Sequence, residues 1–183
     1  LSRRVAAGRL SRRDFLGRAA ALGVSATFAN SLLIGAAQAQ GAVKGGILKA
    51  GLQGGESTNS LDPATFLSQV PYSFGRQWGE LLLELSPTGG LEYRIAEEYG
   101  ASDDAKVWTF KIRKDVEFHN GKTVTPDDVL ATLERHSNEE SKSGALGVVK
   151  GIESAKVDGD TVVITLKEAN ADLPYLLADY HLI

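Results

Sequence analysis

Residues 107–128 constrain the fold more than any other stretch. Val107-Trp108-Thr109-Phe110-Lys111-Ile112-Arg113 alternates strictly, with Trp108, Phe110 and Ile112 on one side and Thr109, Lys111 and Arg113 on the other. Side chains of a strand point to opposite faces in turn, so this pattern predicts a strand with one buried and one wet face. Val116 and Phe118 lead into Asn120-Gly121, a pair suited to a tight turn. Thr125-Pro126-Asp127-Asp128 then predicts a helix start: Thr caps, Pro takes the first helical position, and two acids meet the positive end of the dipole. That helix is expected to run to about Arg135 and to bury Val129, Leu130 and Leu133.

The flanking segments add mixed elements. Ile47 to Leu52, bracketed by glycines, reads as a short strand. Leu61-Asp62-Pro63-Ala64 reads as a turn, because Asp can bond the backbone ahead of it and Pro presets its own φ. Pro71 to Leu83 places Phe74, Trp78, Leu81 and Leu82 at helical spacing. Ser137 to Gly147 reads as a polar surface loop, and Ile152–Val157 and Thr161–Leu166 flank Asp158-Gly159 as a hairpin. A further short helix is expected from Asp172-Leu173-Pro174-Tyr175. Together these predict an α/β or α+β lobe.

The first 39 residues belong to another class. They hold six arginines against the single acid Asp14, a net +5, and since the chain as a whole is −3 the remainder is −8. An acidic body does not suit nucleic-acid binding, which needs clustered Lys and Arg on the folded part. Ser11-Arg12-Arg13-Asp14-Phe15-Leu16 has the form of a twin-arginine export motif. An uncharged stretch from Ala19 to Gly35 and the small-x-small site Ala37-Gln38-Ala39 follow it. The predicted division is therefore a signal peptide over 1–39, cleaved after Ala39, and a mature lobe over 40–183. The implied partner is the twin-arginine translocase and the implied compartment is the periplasm.

Cysteine is absent, which excludes disulfides, thiolate metal sites, a Cys nucleophile and a lipid-bearing Cys anchor. Methionine is absent too, and the sequence stops in an apolar run at Leu182-Ile183, so it reads as the front of a longer protein. His119, His136 and His181 show no metal-binding spacing and read as structural, with His119 also open to a ligand contact. The acidic pairs Glu97-Glu98, Asp103-Asp104 and Glu139-Glu140 lack calcium-loop spacing and read as solvated surface. Trp78, Trp108, Phe110 and Phe118 sit at structural periodicities and read as core. With no nucleophile elbow, phosphate loop or dinucleotide fingerprint, no cofactor and no enzyme activity are expected.

In order along the chain, Gly45-Gly46-Ile47-Leu48, Ser60-Leu61-Asp62-Pro63-Ala64, Gly79-Glu80-Leu81-Leu82, Ile95-Ala96-Glu97, Lys106 to Lys114, Val116-Glu117-Phe118-His119-Asn120-Gly121-Lys122 and Thr125-Pro126-Asp127-Asp128-Val129 resemble one family. It is the large extracellular solute-binding proteins of ABC importers, which includes oligopeptide, dipeptide and nickel binders. Most members carry a proline near Tyr93-Arg94, which is missing here. The resemblance implies a two-lobed periplasmic-binding-protein-like fold of type II, extended with an extra domain, of which this chain holds the first part. It further implies a monomer that binds a peptide or other small solute and delivers it to permease subunits in the inner membrane. By the same resemblance Ser68, Gln69 and Val70, in the loop after Leu-Asp-Pro, would line the ligand cleft. Ser68 and Gln69 could equally cap the helix expected from Pro71. The alternative from another class is an exported hydrolase or oxidoreductase whose active site lies outside these residues.

Overall fold

The computed structural model describes residues 4–5, 10–38 and 45–183. They form two compact units, 1–50 and 51–183.

The first unit is a pair of helices, α1 (Arg12–Ala21) and α2 (Ala26–Gln38). Ser11 starts α1: its hydroxyl accepts from the Asp14 N–H at 3.1 Å and donates to the Asp14 carboxylate at 2.7 Å. Gly23 ends it at φ 75°, where the Gly23 N–H reaches Ala20 O and the Val24 N–H reaches Ala19 O, both at 2.9 Å. These paired bonds are the glycine-terminated exit that satisfies the last helical carbonyls. Phe15 and Ala19 pack against Ala29 and Leu33. No helix among the described residues is long and apolar enough to cross a membrane.

The second unit is built on a four-stranded antiparallel sheet in the order β3-β4-β6-β5, from β3 (Ala96–Ala101), β4 (Val107–Ile112), β5 (Ile152–Asp158) and β6 (Thr161–Leu166). Trp108, Phe110 and Ile112 are buried, as their alternation predicts, and Val162, Ile164 and Leu166 of β6 lie in the same core. The Trp108 indole N–H donates to Ala105 O at 3.2 Å, so its burial leaves no polar atom stranded. The hairpin forms with a one-residue correction. Asp158 pairs with Thr161, so the loop is Gly159-Asp160, and Gly159 supplies the positive φ of 63° at its first position.

Helix α4 (Pro126–Ser137) covers the sheet's core face with Val129 and Leu133. Its start is as expected: the Asp128 carboxylate accepts the Thr125 N–H at 2.8 Å and the Thr125 hydroxyl at 2.7 Å. Leu130 is only half-buried, and His136 takes the buried place one turn beyond Leu133.

Three expectations are corrected. Residues 45–52 form no strand: nothing pairs with them, and Ile47 and Leu48 are 89% and 92% exposed. The helix at Pro71 is the short α3 (Gln69–Gly75), because the chain turns at Arg76–Trp78 and Leu83 opens a hairpin, β1 (Leu83–Leu85) with β2 (Leu91–Tyr93). Gly79 sits where a β-carbon would overlap Ile183, so this turn is fitted to that side chain. The 137–147 stretch is not a free loop. It holds a 3-10 turn at Glu139–Ser141, leads into α5 (Leu146–Val149), and buries Ser143 and Ala145. The last helix, α6 (Leu173–Leu176), is present and buries Leu173.

Candidate functional site

Ser68 occupies the N-cap position of α3, yet its hydroxyl does not cap. It donates instead to Gly54 O at 3.1 Å, tying the front of the helix to the Gly54-Gly55 turn. Gly54 holds φ 92°, and a β-carbon there would overlap the Ser68 side chain, so turn and serine fit only with glycine. Gln69 is exposed, and Ser68 and Val70 are half-buried. The three residues lie together at one surface corner. The expected turn leads into them: Asp62 Oδ1 accepts the Ala64 N–H at 3.0 Å and starts a 3-10 turn over Pro63–Thr65.

An open cleft of about 850 Å³ in the second unit lies elsewhere, and none of Ser68, Gln69 and Val70 borders it. Its floor is apolar, from Val129, Leu133 and Leu182, and Trp78 and Phe118 stand on its wall. Those two aromatics were expected in the core; they are instead 38% and 43% exposed. Their periodicity is real, but the surface they face is this cleft. His119 also borders it and is exposed. Beside the cleft, Glu84 is gripped by two guanidiniums, Arg76 at 2.6 Å and Arg94 at 2.5 Å. An apolar floor with aromatic walls can shelter apolar surface.

A polar cluster sits between the two regions. His136 is 1% exposed, and its Nδ1 lies 2.6 Å from the Ser143 hydroxyl oxygen. Burial holds the imidazole below its ordinary range, with the neighbouring Arg135 and His181 acting in the same direction. His181 places Nε2 2.8 Å from Phe66 O and Nδ1 2.6 Å from Asp179 Oδ1. Arg135 reaches Asp62 at 2.6 Å and holds that carboxyl below its usual range. A Ser–His contact invites a nucleophile reading. Here, however, the serine is buried and its oxygen already accepts the Ala145 N–H at 3.1 Å, so the pair is structural. The structural reading of His136 and His181 from the sequence therefore agrees with their burial. No group of three side chains able to hold a metal occurs among the described residues.

Of the export-motif residues, Arg12 and Arg13 are exposed on α1, Phe15 is buried against α2, and Leu16 is half-buried. Ala37 falls in the last turn of α2, and Ala39 lies outside the described residues.

Residues 90–183 match the bacterial extracellular solute-binding proteins, family 5, over the part described as its middle. The chain belongs to this family. A probable peptide ABC transporter periplasmic-binding protein of Sinorhizobium fredii is 27% identical over 123 residues, covering 67% of this chain and 23% of that protein. The glutathione-binding protein of Escherichia coli is 28% identical over 115 residues, covering 62% and 22%. Among solved structures, the binding protein AgaA of A. tumefaciens R10, in complex with agropinic acid, superposes with a TM-score of 0.63. It is 28% identical, over 67% of this chain and 25% of that one. The chain thus spans about a quarter of the length of the family 5 proteins it matches. These relatives are transport binding proteins, and the hydrolase or oxidoreductase alternative finds no support among them.

Proposed function

We propose that this chain is the front part of a two-lobed periplasmic receptor that binds a peptide, or a solute of similar size, and hands it unchanged to an ABC permease in the inner membrane. The observation that carries this reading is the family 5 match over residues 90–183. Relatives named for peptide and glutathione binding support the ligand class. Ser68, Gln69 and Val70 contribute one wall of the ligand site, with the facing wall outside these residues. Ligands bury most of their surface in a cleft, and one wall cannot desolvate a polar solute and satisfy its hydrogen bonds. The receptor acts as a monomer.

Calorimetry of the complete mature protein with reduced glutathione and with trialanine tests this. One-to-one binding of at least one of them, with the ligand recovered intact, is expected, and residues 40–183 alone should bind far more weakly. Gln69→Ala, an exposed position, should weaken binding several-fold with unfolding unchanged. Recovery of cleaved or oxidised ligand would overturn the receptor reading, and equal affinity in residues 40–183 would overturn the two-lobe site.

Residues 1–39 serve as the export leader, with Ser11, Arg12, Arg13, Phe15 and Leu16 read by the twin-arginine translocase and cleavage after Ala39, two residues beyond Ala37. The exposure of both guanidiniums supports this reading. Lysine does not reproduce the planar fork of arginine, so a double Arg12→Lys, Arg13→Lys variant should stay in the cytoplasm. Normal periplasmic yield of that variant would sink the assignment.

A further inference from the structure

Helix α3 has one closed face and one open face. Pro71 and Gly75 are buried, and a β-carbon on Gly75 would overlap the Phe66 ring, so this face is packed tight against the end of the Asp62–Phe66 turn. Tyr72 follows Ser68 by four residues, which places it one helical turn further along the same side of α3. The Ser68 hydroxyl is spent on Gly54 O. The Tyr72 ring is half-buried and takes no part in the hydrophobic core.

A second tyrosine meets it from the C-terminal segment. The Tyr180 ring lies 4.9 Å from the Tyr72 ring, centroid to centroid, at an interplanar angle of 34°, and 4.2 Å from the His181 ring. His181 holds this row in place. Its Nε2 is 2.8 Å from Phe66 O, its Nδ1 is 2.6 Å from Asp179 Oδ1, and Gly144 sits so close that a β-carbon there would overlap the imidazole. Tyr180 is half-buried, stands outside the hydrophobic core like Tyr72, and neither ring borders the open cleft. Rings fixed before a ligand arrives lose little freedom when it binds.

The pair has hydrogen-bonding capacity to spare. Neither phenol oxygen takes part in a hydrogen bond among the described residues, and no buried side-chain polar atom there lacks a partner, so both hydroxyls reach solvent. Burial, with the Asp179 carboxylate and Tyr72 acting in the same direction, holds the Tyr180 phenol above its ordinary range, and the hydroxyl keeps its proton. Two adjoining rings with open hydroxyls, one turn from Ser68, offer a flat apolar face with a polar edge.

We propose that Tyr72 and Tyr180 form an aromatic shelf that selects among peptides: it takes an aromatic side chain of the ligand by offset stacking, while the phenol hydroxyls bond the peptide backbone beside it. This rests on the reading of Ser68, Gln69 and Val70 as one wall of the ligand site, because that wall brings the peptide alongside the shelf.

Calorimetry of the complete mature protein with trialanine and with Ala-Phe-Ala tests it. Ala-Phe-Ala should bind more tightly, and the ratio of the two affinities should fall about two- to tenfold in Tyr72→Leu and in Tyr180→Leu, the worth of one aromatic pair beyond its buried area. Tyr72→Phe and Tyr180→Phe keep the rings and should keep the ratio. A pair that served only the fold would lower both affinities together, so a ratio unmoved in the leucine variants overturns the shelf. Should those variants fail to fold, the ring resonances of Tyr72 and Tyr180 in the unaltered protein must shift further with Ala-Phe-Ala than with trialanine, and equal shifts overturn it. Gln69→Ala separates the two readings. An unmoved ratio while Gln69→Ala weakens both peptides removes the shelf and leaves the wall in place. A falling ratio with normal binding in Gln69→Ala keeps the shelf and removes Gln69 from the site. Binding of neither peptide overturns the peptide reading and the shelf with it.

Discussion

In β4 and β6 every second residue is buried, whereas across residues 51–66 only Ala64 and Phe66 are. The sheet is held by apolar area repeated along two neighbouring strands, where each buried large side chain is worth about 1.5–3 kcal/mol. The 51–66 segment is held by one buried anchor, Phe66, and by polar attachments at points: an Asx turn at Asp62, the Ser68 bond to Gly54, the Arg135 pair and the His181 bond. Repeated burial tolerates the loss of one weak contact, since neighbours share the load. Point attachments concentrate their sensitivity in a few groups, and those groups respond to single substitutions.

The sharpest test of this contrast is Trp108→Ala, which removes a buried indole from the sheet and should cost about 3–5 kcal/mol in urea unfolding. If it left the midpoint unchanged, the sheet would not be the mainstay of this unit. Gly144→Ala comes next, because the new methyl overlaps the His181 ring and overpacking costs about 1–3 kcal/mol. Its effect should concentrate in residues 62–68, read as faster proteolysis there with the sheet amides still protected. Uniform loss of protection would erase the distinction between the two regions. Asp62→Asn breaks a half-exposed ion pair and should cost under about 1 kcal/mol, fading further in high salt. Lys111→Ala, on the wet face of β4, should move stability by no more than about 0.5 kcal/mol, and a larger loss would show that the outer face is covered.

The same contrast decides what could be read from the sequence. Strand β4, the Thr125-Pro126 helix start and the β5–β6 hairpin carry their cause locally, in alternation, a cap and a glycine at a tight turn, and all three appear. The Ile47–Leu52 strand fails because a strand is a pairing, and its partner cannot be read from its own residues. Helix α3 stops short because Phe74, Trp78, Leu81 and Leu82 keep helical spacing across a turn made at Gly75 and Gly79. Spacing alone could not tell that Trp78 and Phe118 stand on a cleft, since periodicity marks a face and not what lies opposite. The 137–147 stretch looked polar, yet Ser143 is buried because its hydroxyl serves both His136 and Ala145. Of the candidate site, Ser68, Gln69 and Val70 came only through the resemblance. The polar cluster brings together residues 136 and 143, and 181 and 66, a proximity that sequence spacing does not encode.

The strand order carries a consequence for how the chain assembles. Strands β3 and β4 are joined by the tight connection 102–106, and β5 and β6 by Gly159-Asp160, so each pair can close as an independent hairpin at small entropic cost. The seam between β4 and β6 joins residues separated by the whole of 113–160, including α4 and the segment bearing Ser143. The β4–β6 seam is thus the pairing with the largest loop to close, and it is expected to set the pace of folding of this unit. Substitutions along it, such as Val162→Ala, should slow folding, whereas changes at Gly159 should act earlier.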